Sequence, residues 1–200
     1  MASEPIQSIA NLKARFQEMP GIGPRNAERL AFHVLRQPKE FAVTLAQAIL
    51  DVKEKVVHCK TCFNLTEADP CAICADPRRD HGEIWVVEQP QDVITLEASG
   101  LIRGSYHVLM GHIAPLEGVE PEDLTIDALI ERARSGKVRE VVLGLNPTLD
   151  GDGTALHILS RLRDLDVRVT RPARGLAVGS QIEYATPGML DAAIRGRAPM

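Results

Sequence analysis

The stretch EVVLGLNPTLDGDGTALHILSRLRDLDVRVT, residues 140–170, carries the pattern that decides the fold. It opens with the apolar run EVVLGL, continues with a helical pattern over residues 154–165 and closes with the apolar run VRVT. Two short apolar runs separated by a helix are typical of a β-α-β unit, in which the two strands are parallel. We therefore expect a parallel sheet in this part of the chain.

The same alternation extends upstream of this unit. The run IWVVE precedes a helical pattern over residues 92–99, and YHVLM precedes another over residues 124–134. Repeated β-α-β crossovers place helices on both faces of a parallel sheet. We predict that residues 81–170 form one α/β domain of this kind, followed by a glycine-punctuated C-terminal segment, residues 171–200.

The first part of the chain, residues 1–56, carries helical patterns only. Three stretches have apolar residues at intervals of three or four, and they are interrupted by the turn formers PGIG (20–23) and by Pro38. Pro24 suits the first turn of the second stretch, because its fixed φ fits a helix start. We predict a small helical module whose apolar positions are Ile6, Ile9, Leu12, Phe16, Met19, Ala27, Leu30, Ala31, Val34, Phe41, Leu45, Ile49, Val52 and Val56.

The turn PGIG and the residues after it are typical of the helix-hairpin-helix DNA-binding motif. Gly21 and Gly23 permit a tight turn with positive φ, and the helix that follows presents unpaired N–H groups and the positive end of its dipole. Such an end receives a phosphate without reading a base, and Arg25 and Arg29, four apart on one helical face, add charge. In the alternative interpretation the turn only connects two helices, Ile22 fills the core and both arginines are solvated.

Two CxxC pairs lie in the segment HCKTCFNLTEADPCAICADPRRD, which is too short to build a hydrophobic core. Four thiolates at this spacing suit tetrahedral Zn²⁺ and leave no open position for water. We predict one structural zinc ion per chain in a zinc module over residues 57–80, with His58 or His81 as an alternative ligand in place of one thiolate. The predicted ligands are Cys59, Cys62, Cys71 and Cys74.

The balance of charge argues against strong DNA binding by a lone chain. The formal net charge is −4, but residues 1–80 hold 11 basic and 10 acidic side chains, against 12 and 17 in residues 81–200. Because phosphate contacts require Lys and Arg, we expect a DNA site in the first part. Arg78 and Arg79 either take part in it or only cover the edge of the zinc module.

The sequence shows no sign of membrane insertion. No stretch approaches the roughly 20 apolar residues of a membrane span, and MASEPIQS lacks the features of a secretory signal. We therefore expect a cytoplasmic protein.

Acidic and polar residues follow two of the predicted strands, where ligands collect in open α/β sheets. A glutamate after one strand and D-x-D-x-x-G-E after another is the Toprim pattern of topoisomerases, primases and some nucleases, in which carboxylates hold Mg²⁺. Glu88 fits this pattern, but NPTLDGD (146–152) has Asn146 and Thr148 where the two aspartates belong. A neutral amide and a hydroxyl supply none of the negative charge that Mg²⁺ prefers.

Asp150 and Asp152 fall four positions later, at the opening of the next helix. Acidic residues at a helix start are favoured by the dipole and cap free N–H groups, and a partner contact is compatible with this role. Weak, non-catalytic metal binding together with Glu88, and metal-dependent catalysis, remain the alternatives.

A helix-hairpin-helix, a four-cysteine module and a degenerate Toprim domain thus stand in one order on a chain of 200 residues. Together with CADPRRD, VVEQPQDV, HVLMGHIAPLEG and NPTLDGDGTA, they make the whole length resemble the bacterial RecR family of recombination mediators. The resemblance implies a non-enzymatic DNA-repair factor that binds DNA without sequence preference and assembles as a ring-like homotetramer around it. It also implies joint action with RecO, and in some bacteria RecF, to load RecA onto gapped single strands coated with single-strand-binding protein.

The resemblance further assigns roles to particular residues. It implies DNA contacts at Arg25 and Arg29, packing or exchange of residues 171–200 between subunits, and location at the nucleoid during repair. It places three acidic residues on the surface expected to meet RecO or DNA, namely Glu88, Asp150 and Asp152. One departure is that Asp150-Gly151-Asp152 stands where family members commonly have Glu-Gly-Glu, which shortens the reach of that contact.

Two other classes of function stay open at this point. A Mg²⁺-dependent Toprim nuclease or topoisomerase is disfavoured by Asn146 and Thr148, and neither Tyr106 nor Tyr184 has a motif that supports a nucleophile. An adaptor that binds only proteins would need a hairpin that has lost DNA binding.

Overall fold

A computed structural model describes residues 6–197 of the chain. The first five residues of the predicted 1–56 module and the last three of the predicted 171–200 segment lie outside this range. The chain divides between Val56 and Val57 into two compact units, which are described separately.

The N-terminal unit consists of three helices, α1 (Gln7–Gln17), α2 (Pro24–Arg36) and α3 (Lys39–Lys55). Helix α1 packs against α2, and the buried residues of the unit are the small Ala27 and Ala31, which allow close approach of the two helices. Helix α3 buries none of its side chains, although it carries a long apolar stripe.

The second unit begins with a minimal zinc module. Strands β1 (Val57–His58) and β2 (Leu65–Thr66) form an antiparallel pair, and helix α4 (Ala72–Ala75) follows after a loop. These elements hold few apolar side chains of their own, so the module depends on its cysteines and on the neighbouring sheet.

The sheet of the second unit has four parallel strands in the order β4-β3-β5-β6. Its strands are β3 (Asp80–Val87), β4 (Gly104–Val108), β5 (Glu140–Leu143) and β6 (Arg168–Thr170). The helices are α5 (Pro90–Ala98), α6 (Ile126–Arg134), α7 (Leu149–Leu162) and α8 (Pro187–Arg195), with short 3-10 turns at Pro115–Glu117, Pro121–Asp123 and Ile182–Tyr184.

Alternation along the central strand β3 builds a core on each face of the sheet. Ile84 and Val86 belong to the larger cluster, which includes buried residues of α6 and α7. Val87 belongs to the second cluster, where α5 packs together with Phe63 and Ile73 of the zinc module. Both faces are therefore covered, as a parallel sheet requires.

The predicted fold class is confirmed: a helical N-terminal module, a four-cysteine module, a Toprim-like parallel sheet and a short C-terminal helical segment. The residue boundaries between these domains stay a prediction. Helix α7 begins five residues earlier than its apolar pattern suggests, because the Thr148 hydroxyl accepts a hydrogen bond from the Gly151 N–H (3.1 Å) and caps it. Within the described residues, no helix combines the length and apolar character needed to span a bilayer.

Candidate functional site

The four cysteines converge as the spacing predicts. Their Sγ atoms all lie within 4.8 Å of one another, and those of Cys62 and Cys71 are 3.6 Å apart. A tetrahedral site with Zn–S bonds of about 2.3 Å requires sulfurs roughly 3.8 Å apart, so the cluster fits Zn²⁺. Among residues 6–197, these cysteines are the only group of three or more Cys, His, Asp or Glu side chains placed to share a metal ion.

Backbone amides orient the sulfurs in the manner of zinc knuckles. The Cys71 N–H donates to the Cys59 Sγ and the Cys74 N–H to the Cys71 Sγ, both at 3.4 Å. Burial raises the pKa of the Cys71 thiol to about 11, and a hydrogen bond with Cys74 raises the pKa of Cys62 as well. Without a cation the thiols of Cys62 and Cys71 therefore retain protons, which a metal ion displaces when it binds.

The histidines near the cluster are engaged elsewhere. His58 Nδ1 lies 3.2 Å from the Phe63 carbonyl oxygen, and His81 Nε2 lies 3.1 Å from the carbonyl oxygen of Asp76. Neither belongs to the metal-binding group, so the four-cysteine set is the one that the structure supports.

The zinc module is joined to the edge of the sheet. The N–H of Val108, at the end of β4, donates to the Cys62 carbonyl oxygen at 2.8 Å, so the first knuckle continues the hydrogen bonding of the sheet. Phe63 and Ile73 complete the apolar cluster on that face. The metal site thereby fixes a segment that covers part of the core.

Glu88 lies at the carboxyl end of β3, where the chain connections run to opposite sides of the sheet. Glu88 is only 4% exposed, and both of its carboxylate oxygens already have donors. The Asn146 backbone N–H donates to Oε1 (2.7 Å), the Asn146 side-chain amide donates to Oε2 (2.9 Å), and His112 Nδ1 lies 3.2 Å from Oε2. The chain's own groups thus already satisfy the carboxylate that the Toprim pattern assigns to a metal ion.

The replacement of aspartate by Asn146 and Thr148 therefore has a structural counterpart. Asn146 donates hydrogen bonds to both carboxylate oxygens of Glu88, and Thr148 caps α7. Gly151 is required in the first turn of α7, because a Cβ atom at this position would lie 2.1 Å from the Asn146 carbonyl oxygen. The start of α7 is packed directly against the loop that holds Asn146.

Asp150 and Asp152 lie in the first turn of α7, as expected, but the cap is Thr148 and not an aspartate. Asp150 is exposed. Arg174 Nη1 donates to Asp152 Oδ2 at 2.8 Å, its Nη2 lies 2.7 Å from Oδ1 as an ion-pair contact, and Arg171 Nη1 lies 3.7 Å from Oδ1. The hydrogen bond from Arg174 lowers the pKa of Asp152.

A cleft of about 1060 Å³ opens beside Asp152. Its walls include Arg171, Arg174 and Arg195 together with the start of α8. The sequence analysis missed these arginines: the only signal of Arg171 and Arg174 was the basic spacing of TRPARG after the last strand, and Arg195 lies further on, at the end of α8. They make this edge of the sheet more basic than the acidic residues alone suggest.

Arg78 and Arg79, left open by the sequence, differ in their surroundings. Arg78 is exposed and pairs with Asp76 at 2.9 Å. Arg79 is largely buried, forms a two-pronged ion pair with Glu97 and donates to the Ile102 carbonyl oxygen at 3.1 Å. Arg79 is therefore committed to the packing of α5 against the end of the zinc module.

In the N-terminal unit, the hairpin turn uses its two glycines differently. Gly21 has φ of +78°, whereas Gly23 has φ of −78° and serves as the N-cap of α2. A Cβ atom on Gly23 would meet nothing within 4 Å. The expectation of positive φ thus holds for Gly21 alone, and nothing in the fold of the described chain requires a glycine at 23.

The start of α2 has the features of an anion-binding helix end. No side chain caps it, its first turn contains no acidic residue, and Pro24 occupies the first position. Arg25 and Arg29 are both exposed near this end. The arrangement is able to receive a phosphate through backbone N–H groups and to add two positive charges.

Comparison with known proteins assigns a family to each part of the chain. The family model for the RecR helix-hairpin-helix matches residues 9–53, that for the four-cysteine zinc finger domain of RecR matches residues 56–76, and that for the Toprim domain matches residues 82–173. The three matches follow the chain in the order in which the motifs occur in the sequence.

Curated relatives extend the similarity to nearly the full length. The chain is 53% identical over 189 residues to the Recombination protein RecR of Chloroflexus aurantiacus, covering 94% of this chain and 93% of the relative. It is 49% identical to that of Desulforudis audaxviator, with 96% of each chain covered. It is 50% identical to that of Rubrobacter xylanophilus, again over 96% of both.

Proposed function

The chain belongs to the RecR family of recombination proteins, and from this membership we propose that it is a DNA-binding recombination mediator in DNA repair without a chemical step of its own. The observation that carries the proposal is the occupied carboxylate of Glu88. A Mg²⁺ ion would have to displace two Asn146 donors and His112 from it, and no aspartate stands at 146 or 148 to compensate. The Toprim domain serves as a scaffold in this proposal.

DNA binding is assigned to the N-terminal unit. The uncapped start of α2, Gly21, Gly23, Arg25 and Arg29 form the contact surface, which holds the phosphate backbone and reads no bases. One such end makes few contacts, so a single chain binds weakly and loses affinity as salt rises. Several copies on one assembly compensate through effective concentration.

The assembly in the proposal is a homotetrameric ring. Two regions support association: α3 carries exposed Val43, Ile49 and Val52, and the C-terminal segment exposes Val178 and Tyr184. Apolar side chains at this density on the surface of one chain are typical of buried interfaces. The C-terminal segment is proposed to pack on, or exchange with, a neighbouring subunit.

The proposed partners are RecO and, where present, RecF, and the proposed outcome is loading of RecA on gapped single strands coated with single-strand-binding protein. Asp150 is proposed as a contact because it is exposed at the carboxyl edge of the sheet. Asp152 is proposed as part of the same contact surface, together with Arg171 and Arg174, with which it forms ion pairs. Glu88 is not carried into this surface, since its carboxylate is buried.

The deciding experiment is incubation of the full chain with gapped circular DNA, with and without Mg²⁺, at low and moderate salt, scored for both retention and strand cleavage. We expect salt-sensitive retention and intact DNA. Mg²⁺-dependent cleavage that disappears in Glu88→Ala or Asp150→Ala would instead identify an enzyme.

The charge-reversal variant Arg25→Glu/Arg29→Glu tests the location of the DNA site. We expect it to weaken retention by at least about tenfold. Arg36→Glu, an exposed change at the other end of the same helix, is the matched control and should have a smaller effect. Unchanged retention in the double variant would favour a protein adaptor.

A further inference from the structure

Arg132 lies on α6 and directs its guanidinium group under strand β4. Its Nη1 donates to the Tyr106 carbonyl oxygen at 2.8 Å and to His107 Nδ1 at 3.1 Å, and its Nη2 lies 3.4 Å from the Ser105 hydroxyl. All three acceptors are neutral, and Tyr106, His107 and Ser105 are completely buried. The guanidinium group of the partly buried Arg132 thus hydrogen-bonds to neutral groups.

Arg132 has no carboxylate partner. None of the ion pairs within residues 6–197 includes it. A guanidinium group taken out of water without an anion is strongly destabilising. Burial lowers the pKa of Arg132, and the nearby cysteines oppose this shift. The compensating negative charge is to be sought in the segment that packs against β4, which is the zinc module.

His107 does not supply that charge. Thr125 Oγ1 donates to the Val108 carbonyl oxygen (2.7 Å), so His107 Nε2 carries the hydrogen that it donates to Thr125, and Nδ1 is left to accept from Arg132. Burial, aided by Arg132, lowers the pKa of His107 to about 3. The imidazole of His107 is neutral and supplies no negative charge to Arg132.

The zinc module lies directly beyond these residues. Val108, next in the chain after His107, donates its N–H to Cys62, and the rings of Phe63 and His107 meet edge to face at 5.3 Å. Four thiolates and one Zn²⁺ carry two formal negative charges in excess. The other basic side chains of the module already have acidic partners: Lys60 pairs with Asp69, Arg78 with Asp76 and Arg79 with Glu97.

We propose that Arg132 is the partly buried counter-cation of the zinc–tetrathiolate centre, so that metal retention depends on a residue of the Toprim domain outside the zinc module. The ion pair acts across the β4 edge and joins the two parts electrostatically. Each charge stabilises the other: the thiolate cluster compensates the desolvated guanidinium, and the guanidinium offsets the excess negative charge of the metal-bound cluster. Loss of zinc consequently loosens α6, not only the knuckles.

The test compares the zinc affinity of the full-length protein and its variants by competition with a chromogenic chelator. Arg132→Gln keeps a hydrogen-bond donor but removes the charge, whereas Arg132→Lys keeps the charge but loses the planar fork. We expect Arg132→Gln to weaken zinc binding by at least about tenfold and Arg132→Lys to stay within about threefold of the parent. Arg134→Gln, on the exposed side of the same helix, is the control and should bind zinc as the parent does.

A purely structural role predicts a different result. Arg132→Gln and Arg132→Lys would then lose thermal stability with no separation between their zinc affinities, and that outcome overturns the proposal. A second measurement needs no substitution: hydrogen exchange of the unmodified chain before and after chelation. We expect faster exchange in α6 as well as in residues 57–80, and acceleration confined to residues 57–80 contradicts the proposal.

Discussion

Glu97 is a single carboxylate on which two buried donors converge. Arg79 binds it through both guanidinium nitrogens, and the Tyr106 hydroxyl donates to Oε1 at 2.7 Å. The Arg79 hydrogen bonds hold the pKa of Glu97 below its ordinary value, and the Tyr106 bond adds to this effect. Because the folded-state pKa is lowered, the stabilisation is present above the ordinary pKa and is lost as the pH falls below it.

We predict that Arg79→Met lowers the free energy of unfolding by about 2 kcal/mol at pH 7, since a charged hydrogen bond is lost while Glu97 stays partly buried. The difference from the parent should shrink as the pH falls below about 4. Urea unfolding at several pH values measures it; both proteins release zinc in acid, so only their difference is informative. Arg78→Met, which breaks an exposed pair, is the control, and an equal loss there would contradict the argument.

Asn146 determines whether the carboxylate of Glu88 is satisfied or repelled. We predict that Asn146→Asp lowers the free energy of unfolding by about 2 kcal/mol, because it exchanges a donor for a second negative charge beside a buried carboxylate. Millimolar Mg²⁺ should restore part of this loss, since the new pair offers oxygens to a hard cation. Urea unfolding with and without Mg²⁺ provides the measurement.

Asn146→Ala is the matched control for that substitution. It removes the amide donor and adds no charge, so Mg²⁺ should leave its stability unchanged. If Mg²⁺ stabilised the parent and Asn146→Ala as much as Asn146→Asp, the crevice would already bind the ion, and Glu88 would not be occupied in the way that its contacts suggest.

At the scale of the element, two substitutions at the start of α2 distinguish folding from the proposed DNA binding. Gly21→Ala should cost about 1 kcal/mol of stability, because φ of +78° is strained for alanine. Gly23→Ala should cost roughly 0.5 kcal/mol, because alanine is a poorer N-cap than glycine. It should weaken DNA retention about fivefold, because the added methyl group contacts nothing in the fold but would obstruct the proposed phosphate contact. Thermal unfolding and DNA retention, measured on both variants, distinguish the two effects. If Gly23→Ala retained DNA as well as the parent, the phosphate would not bind at this helix end.

The elements that sequence predicts well are those whose signal is periodic. The strands around Ile84 and Val141 and the helices α1 to α3 follow from apolar spacing, and the zinc ligands follow from two CxxC pairs. The predicted start of α7 was five residues too late, because a single hydroxyl group, that of Thr148, determines where the helix begins. Arg132 was missed although it sits near buried Leu129 and Ala133 on α6, because the charge that explains it comes from another part of the chain.

The state of Glu88 shows the same limit at the crevice. Its position after β3 was readable, but its burial was not, since burial arises where the loops after β3, β4 and β5 meet. Contacts between residues 58 positions apart leave no local pattern. The substitution of Asn146 for aspartate was the one visible trace of that contact.

At the scale of the whole molecule, α3 links the proposed assembly to DNA retention. Ile49 is 54% exposed on a 17-residue helix that buries none of its side chains. If α3 forms a subunit interface, Ile49→Glu places a charge in it and should raise the dissociation constant of the oligomer more than about tenfold. DNA retention should fall as the oligomer dissociates, because separate chains lose the benefit of effective concentration.

Sedimentation at micromolar concentration measures the dissociation of the oligomer, and retention on gapped DNA measures the loss of DNA binding. Gln47→Lys adds a charge on the opposite side of α3, keeps a donor for Asp51 and is the control. If the parent protein sediments as a monomer, there are no subunit contacts to disrupt. If Ile49→Glu keeps the parent's assembly, the subunit contacts lie elsewhere than at α3.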